Sequence, residues 1–133
     1  MTPYAAKTKV SVEQTRVDIE RVLTRYGADA FGYSQDGPAV RIAFRREGRH
    51  YRIDLIMPED PQGCRVRWRA LLMIIKAKLE AAAAGVTSFE DEWLAQTVLP
   101  DRQTVGEWAK PQLEEAYRIG AMPKTLMIEG PHS

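Results

Sequence analysis

The stretch Ala39–Met57 admits one good pairing with itself, and that pairing constrains the chain more than any other feature. Ala39 to Arg46 alternates, with Val40, Ile42 and Phe44 on one side and Arg41, Ala43 and Arg45 on the other. His50 to Met57 alternates again, setting Tyr51, Ile53, Leu55 and Met57 against His50, Arg52, Asp54 and Ile56. Glu47-Gly48 between them suits a two-residue hairpin turn. Counting back from that turn, Arg46 faces Arg49, Phe44 faces Tyr51, Ile42 faces Ile53 and Val40 faces Leu55. The opposite face pairs Arg45 with His50, Ala43 with Arg52 and Arg41 with Asp54. A slip of one residue would turn every apolar side chain to the wrong face. Ala30 to Ser34 reads as a short third strand, joined by a turn over Gln35-Asp36-Gly37-Pro38.

A long helix follows, predicted over residues 64–84. It has no proline, no interior glycine and few β-branched residues. Trp68, Leu71, Leu72, Ile75, Leu79 and Ala82 fall on one stripe. Val66, Ala70, Met73, Ala77 and Ala81 make a second apolar face of mostly small side chains. A helix apolar on two sides is a middle layer between two others. Gly85 stops it. The Trp68 stripe reads as core; used as a heptad-like seam instead, it would make a homodimer, although the repeat is short for a coiled coil.

Flanking segments complete the reading. Residues 1–10 are a loose lead, 11–120 a single domain and 121–133 a tail. Ser11 with Gln14 is a capping box opening a helix to about Tyr26, with Thr15, Ile19, Val22, Leu23 and Tyr26 buried. Pro58 to Gly63 reads as a loop. Thr87 with Glu90 is a second capping box, opening a helix toward Pro100 with Phe89, Trp93 and Leu94 on its apolar side. Thr104 with Glu107 is a third box, opening a short helix through Trp108. Pro111 starts a further helix to about Arg118, with Leu113 and Tyr117 buried. Thr125 to Ile128 reads as either a short strand or a docked tail. The fold class is therefore α+β: an antiparallel three-stranded sheet with an N-terminal helix, a long central helix and C-terminal helices on one face, in the order α-β-β-β-α-α-α.

Composition excludes several classes. At 44% apolar and 28% charged residues the chain is an ordinary globular one. A single cysteine, Cys64, gives no internal disulfide and fits a reducing compartment, so a cytoplasmic protein is expected. Two histidines and one cysteine are too few for a common structural zinc site. The longest apolar run, Ala70 to Ile75, is far short of a membrane span, and the N-terminus lacks a signal-peptide pattern. Walker, dinucleotide, Cys-x-x-Cys and His-Glu-x-x-His motifs are absent. His50 and Asp54 lie two pleats apart, too far for a tight acid–base pair. Cys64 reads as a small buried thiol, and Glu90, Asp91 and Glu92 read as helix-dipole partners. No catalytic residue, cofactor or metal is expected, and an enzyme is not supported.

Charge is uneven along the chain. Residues 41–78 hold ten Arg and Lys against four acids, while residues 79–118 hold three against eight. With the hairpin register above, Arg41, Arg45 and Arg52 line the outer sheet face, with Arg46 and Arg49 at the hairpin end. Arg65, Arg67 and Arg69 lie near the start of the central helix, where the positive end of the dipole disfavours them. Small residues between the sheet arginines would let a phosphate backbone approach. The nucleic-acid-binding set is therefore Arg41, Arg45, Arg46, Arg49, Arg52, Arg65 and Arg69, on DNA or RNA. The plainer reading pairs these arginines with the acidic C-terminal helices. The functional rival is an adaptor or inhibitor that binds a host or phage protein.

Two blocks carry a resemblance. One is Thr15–Gly37, with Leu-Thr-Arg-Tyr-Gly-Ala-Asp-Ala-Phe-Gly-Tyr. The other is Val66–Trp108, with Phe-Glu-Asp-Glu-Trp-Leu-Ala and Val-Leu-Pro. They resemble small uncharacterised proteins carried by phages and prophages. That resemblance implies a mobile-element protein, in DNA metabolism or in interference with a host system, and brings no site with it. Separately, the order helix, three strands, helix is similar to that of double-stranded-RNA-binding domains. Their Gly-Pro-x-His loop is absent, and Arg65, Arg67 and Arg69 match their helix-start lysines only loosely.

Overall fold

The computed structural model describes residues 8–124; the expected strand or tail over Thr125–Ile128 lies outside them. The element order is α1 (Val12–Arg25), β1 (Ala30–Asp36), β2 (Ala39–Arg46), β3 (Arg49–Ile56), α2 (Pro61–Ala83), α3 (Phe89–Glu92) and α4 (Val105–Ile119). This is the α+β fold expected, with the sheet antiparallel and ordered β1-β2-β3.

The β2–β3 register is the one the alternation dictates, from Arg46↔Arg49 to Val40↔Leu55. Glu47 and Gly48 both take positive φ, 51° and 77°, the turn whose twist suits a two-residue hairpin. β1 is two residues longer than its small side chains suggest. Gly37 at φ +59° completes a two-residue turn with Pro38, so Gln35 and Asp36 are strand rather than turn.

α2 starts at Pro61, three residues before the sequence estimate. The Asp60 side chain caps it by accepting from the Gly63 N–H at 2.7 Å. Proline at the first helical position loses no bond, because that N–H would be unpaired anyway. Arg65, Arg67 and Arg69 therefore sit past the first turn, where the dipole has faded, and no special requirement is needed to explain them.

The core lies between the sheet and the α1–α2 layer. Ile19, Val22 and Leu23 of α1 and Trp68, Leu71, Leu72, Ile75 and Leu79 of α2 close over Val40, Ile42, Phe44 and Tyr51. The two helices run in the same direction, since Asp18 meets Arg69 while Arg25 and Lys76 border one cleft further along. Trp93, fully buried, plugs the hairpin end of this core against Phe44, Tyr51 and Phe89.

The C-terminal third departs most from expectation. The helix predicted toward Pro100 is one turn only, capped by Ser88 rather than Thr87. Leu94 is exposed. The chain then runs along β3: the Arg52 N–H donates to the Gln96 carbonyl at 2.9 Å and the Val98 N–H to the His50 carbonyl at 2.8 Å. Beyond the Thr104–Glu107 capping box, one continuous helix carries Pro111 inside it. Leu113 and Tyr117, expected to be buried, are 52% and 87% exposed. Only α3, not α4, packs substantially on α2.

Candidate functional site

The outer sheet face is where the arginines were expected to stand free, and six of the seven named arginines instead meet a carboxylate of the same chain. Arg41 Nε donates to Asp54 Oδ1 at 2.7 Å, and Arg52 Nε to Asp54 Oδ2 at 2.8 Å. Arg45 pairs with Asp29 at 2.8 Å and Arg49 with Glu90 at 3.2 Å. Arg46 lies over the Phe89 ring at 3.9 Å, donates to the Tyr26 carbonyl and approaches Glu47. Arg69 bonds Asp18 at 2.9 Å. Arg65 holds the side-chain amide of Gln62.

Arg52 differs from the rest. Its side chain is only 10% exposed. Besides Asp54 it bonds the Arg102 carbonyl and Glu107. It is a clasp fastening the segment before α4 to the sheet, and a phosphate has no access to it. On this wall five arginines (41, 45, 46, 49 and 52) stand beside five carboxylates (29, 47, 54, 90 and 107). Their fields cancel at the range where a polyanion would first feel them.

The pairing shows in the acid constants. The Arg69 hydrogen bond holds Asp18 below the usual carboxylate range. Burial pushes Asp54 up, but hydrogen bonds from Arg41 and Arg52 bring it below its ordinary value. A carboxylate with a lower pKa folded than unfolded stabilises the fold above its unfolded pKa, about 3.9. That contribution is lost as pH falls through the folded value. Urea midpoints are therefore expected to be insensitive to these groups from about pH 7 to 5 and to drop below about pH 4. Asp54→Asn is expected to make that acid limb shallower; an unchanged limb would show that the wall carries none of the acid lability.

Two other surfaces stand out. The first is the seam between α1 and α2, a cleft of about 260 Å³ bordered by Arg21, Arg25, Arg69 and Lys76 with a single acid, Asp18. The second is α4. Its apolar arc runs through Trp108, Val105, Ala109, Ala116, Leu113 and Tyr117, and none of its residues is buried. Trp108, Leu113, Tyr117, Ile119 and the following Met122 are all among the large exposed apolar side chains. Periodicity in the sequence gives the arc. It does not say whether the arc is covered, and so this surface was missed.

Among the described residues, no group of three or more His, Cys, Asp or Glu is placed to hold a metal, and no helix is long and apolar enough to cross a membrane. Fold and surface together define a small α+β protein with a charge-balanced sheet wall and a C-terminal helix that is half-buried along Val105, Ala109 and Ala116 and leaves Trp108, Leu113 and Tyr117 exposed. No protein-family model, curated protein or solved structure matches the chain.

Proposed function

We propose that the protein is a non-enzymatic adaptor or inhibitor that binds another protein through α4. The observation that carries this reading is a fifteen-residue amphipathic helix with no buried residue. Large exposed apolar groups gathered on one helix are the ordinary signature of a protein-binding surface. The partner is a protein with an apolar groove that accepts a helix. The partner proposed is a host or phage protein, as the expected mobile-element origin implies.

The test is site-specific crosslinking in cells. A photoreactive residue at Tyr117 is expected to trap one protein species, and one at Arg21 none. Leu113→Asp is expected to reduce that product tenfold or more, as loss of a well-packed anchor does, while the unfolding midpoint moves little because the side chain is half exposed. An undiminished product in Leu113→Asp would end the reading.

The α1–α2 seam supports a second reading: contact with the phosphate backbone of DNA or RNA by Arg21, Arg25, Arg69 and Lys76. These cations face one acid, unlike those of the sheet wall. A mobility-shift titration would then show a steep salt dependence, with the slope reduced by about one for each cation removed, Arg25→Gln first. No shift with micromolar protein at low salt ends this reading.

A further inference from the structure

The two edges of the sheet are treated differently. Along β3 the outward C=O of His50 and N–H of Arg52 are taken up by residues 96–98 of the same chain. Along β1 nothing among the described residues does this. The two-residue turn at Gly37-Pro38 fixes the hydrogen-bonding parity of the β1–β2 ladder. Ala30, Gly32, Ser34 and Asp36 point their N–H and C=O groups at β2. Phe31, Tyr33 and Gln35 point theirs outward. From Gly32 to Asp36 every residue is exposed, and a side chain at Gly32 would meet nothing within 4 Å.

Free edges normally carry a lysine, a proline or a bulge that discourages pairing. β1 reads Ala-Phe-Gly-Tyr-Ser-Gln-Asp and has none of these along Phe31–Gln35. It is also held in place. Tyr33 is clamped between the Arg16 guanidinium, 4.2 Å from its ring centre, and the Trp68 ring at 5.8 Å. An edge already fixed in its pairing conformation loses little entropy on docking.

We infer that two copies of this chain pair antiparallel through β1, joining their sheets into one of six strands. A two-fold axis through Tyr33 sets Tyr33 opposite itself and Phe31 opposite Gln35 of the second copy, satisfying the outward N–H and C=O of all three. The same register sets Asp36 opposite Ala30 and Asp29 opposite Gly37, so no acid meets an acid. The outer-face side chains along the seam are Ala30, Gly32 and Ser34, too small to obstruct it. A two-fold pairing uses the same edge of both copies and so closes, and residues 96–98 already occupy the β3 edge at His50 and Arg52, so assembly stops at two. A strand seam of about 20 Å is a small interface, of the size class of weak and transient pairs.

Sedimentation equilibrium of the full chain decides this. The mass is expected to rise from 15.1 kDa toward twice that value across roughly 1–100 µM protein. Gln35→Pro removes an outward N–H and leaves the β1–β2 bonds intact; by symmetry it acts twice, and the dissociation constant is expected to rise at least tenfold. Ser34→Lys, a fully exposed change that does not challenge folding, is expected to do the same by putting like charges on both strands of the seam. A single-chain mass at about 100 µM would overturn the inference. So would a dimer that survives both substitutions, or one dissolved only by Tyr117→Asp, which would place the contact on α4.

Discussion

Arg52→Met is expected to destabilise the protein by about 2–3 kcal/mol, the range for a hydrogen-bonded charge largely removed from water. The wild-type guanidinium serves Asp54, the Arg102 carbonyl and Glu107 at once, and only 10% of it is exposed. Methionine fills similar volume but leaves the Arg102 carbonyl without its donor. The carboxylates are half open to water, which keeps the loss below that of a fully buried pair. For a chain of this length that is a fall in Tm of roughly 8–12 °C. Amide exchange in residues 96–107 is expected to quicken before the rest of the sheet. Arg52→Lys keeps the charge but cannot reach three acceptors in one plane, so it is expected to recover less than half of the loss. A phosphate-contacting role predicts the opposite, with lysine nearly as good as arginine and little change in unfolding. A loss below about 0.5 kcal/mol in Arg52→Met would remove the clasp from the account.

The second large effect is at Trp93. Trp93→Ala is expected to cost about 3–5 kcal/mol, the usual range for emptying a buried tryptophan site. The indole is fully buried, edge-on to Phe44 at 5.1 Å, stacked on Phe89 at 5.9 Å and overlaid by the Lys78 ammonium at 4.9 Å. Against a total stability of about 5–15 kcal/mol, this leaves a marginal or unfolded protein. Trp93→Phe is expected to be much milder. The indole N–H is buried with no acceptor, so the smaller ring forfeits contacts but no hydrogen bond and relieves an unpaired donor. Urea titrations of the two variants measure the contrast. Equal losses would mean that filling this site with a ring is not what matters there.

The sheet was legible from sequence because its information is local. Alternation of period two, a turn at Glu47-Gly48 and a buried face leave one register. The Trp68 stripe was legible for the same reason. What sequence could not give was which surfaces meet. The basic surplus of residues 41–78 is real, but Asp29, Glu90 and Glu107, which neutralise it, come from other segments. The charge pattern pointed to an open basic wall, and the fold makes that wall an ion-paired one. Segment 93–98 was misread because Trp93 and Leu94 mimic one helical face. Only Trp93 turns inward, and the chain then leaves the helix to bond along β3. Pro111 reads as a boundary in the sequence, although a helix tolerates an interior proline at about 3 kcal/mol when the turns on either side hold. Leu113 and Tyr117 were assigned to a core from periodicity alone, which cannot tell a covered apolar arc from a bare one.

Trp93 also has a meaning for the chain as it is made. The unit from α1 to α2 is complete at Ala83, yet its aromatic end stays unstoppered and the rim of β3 unpaired until the residues around 93–107 have left the ribosome. At about 5–20 residues per second the roughly two dozen residues from Ala83 to Glu107 take about one to five seconds to emerge. For that interval the nascent chain shows Phe44 and Tyr51 to its surroundings, and a chaperone that masks them would shelter the molecule until its own last segment takes over.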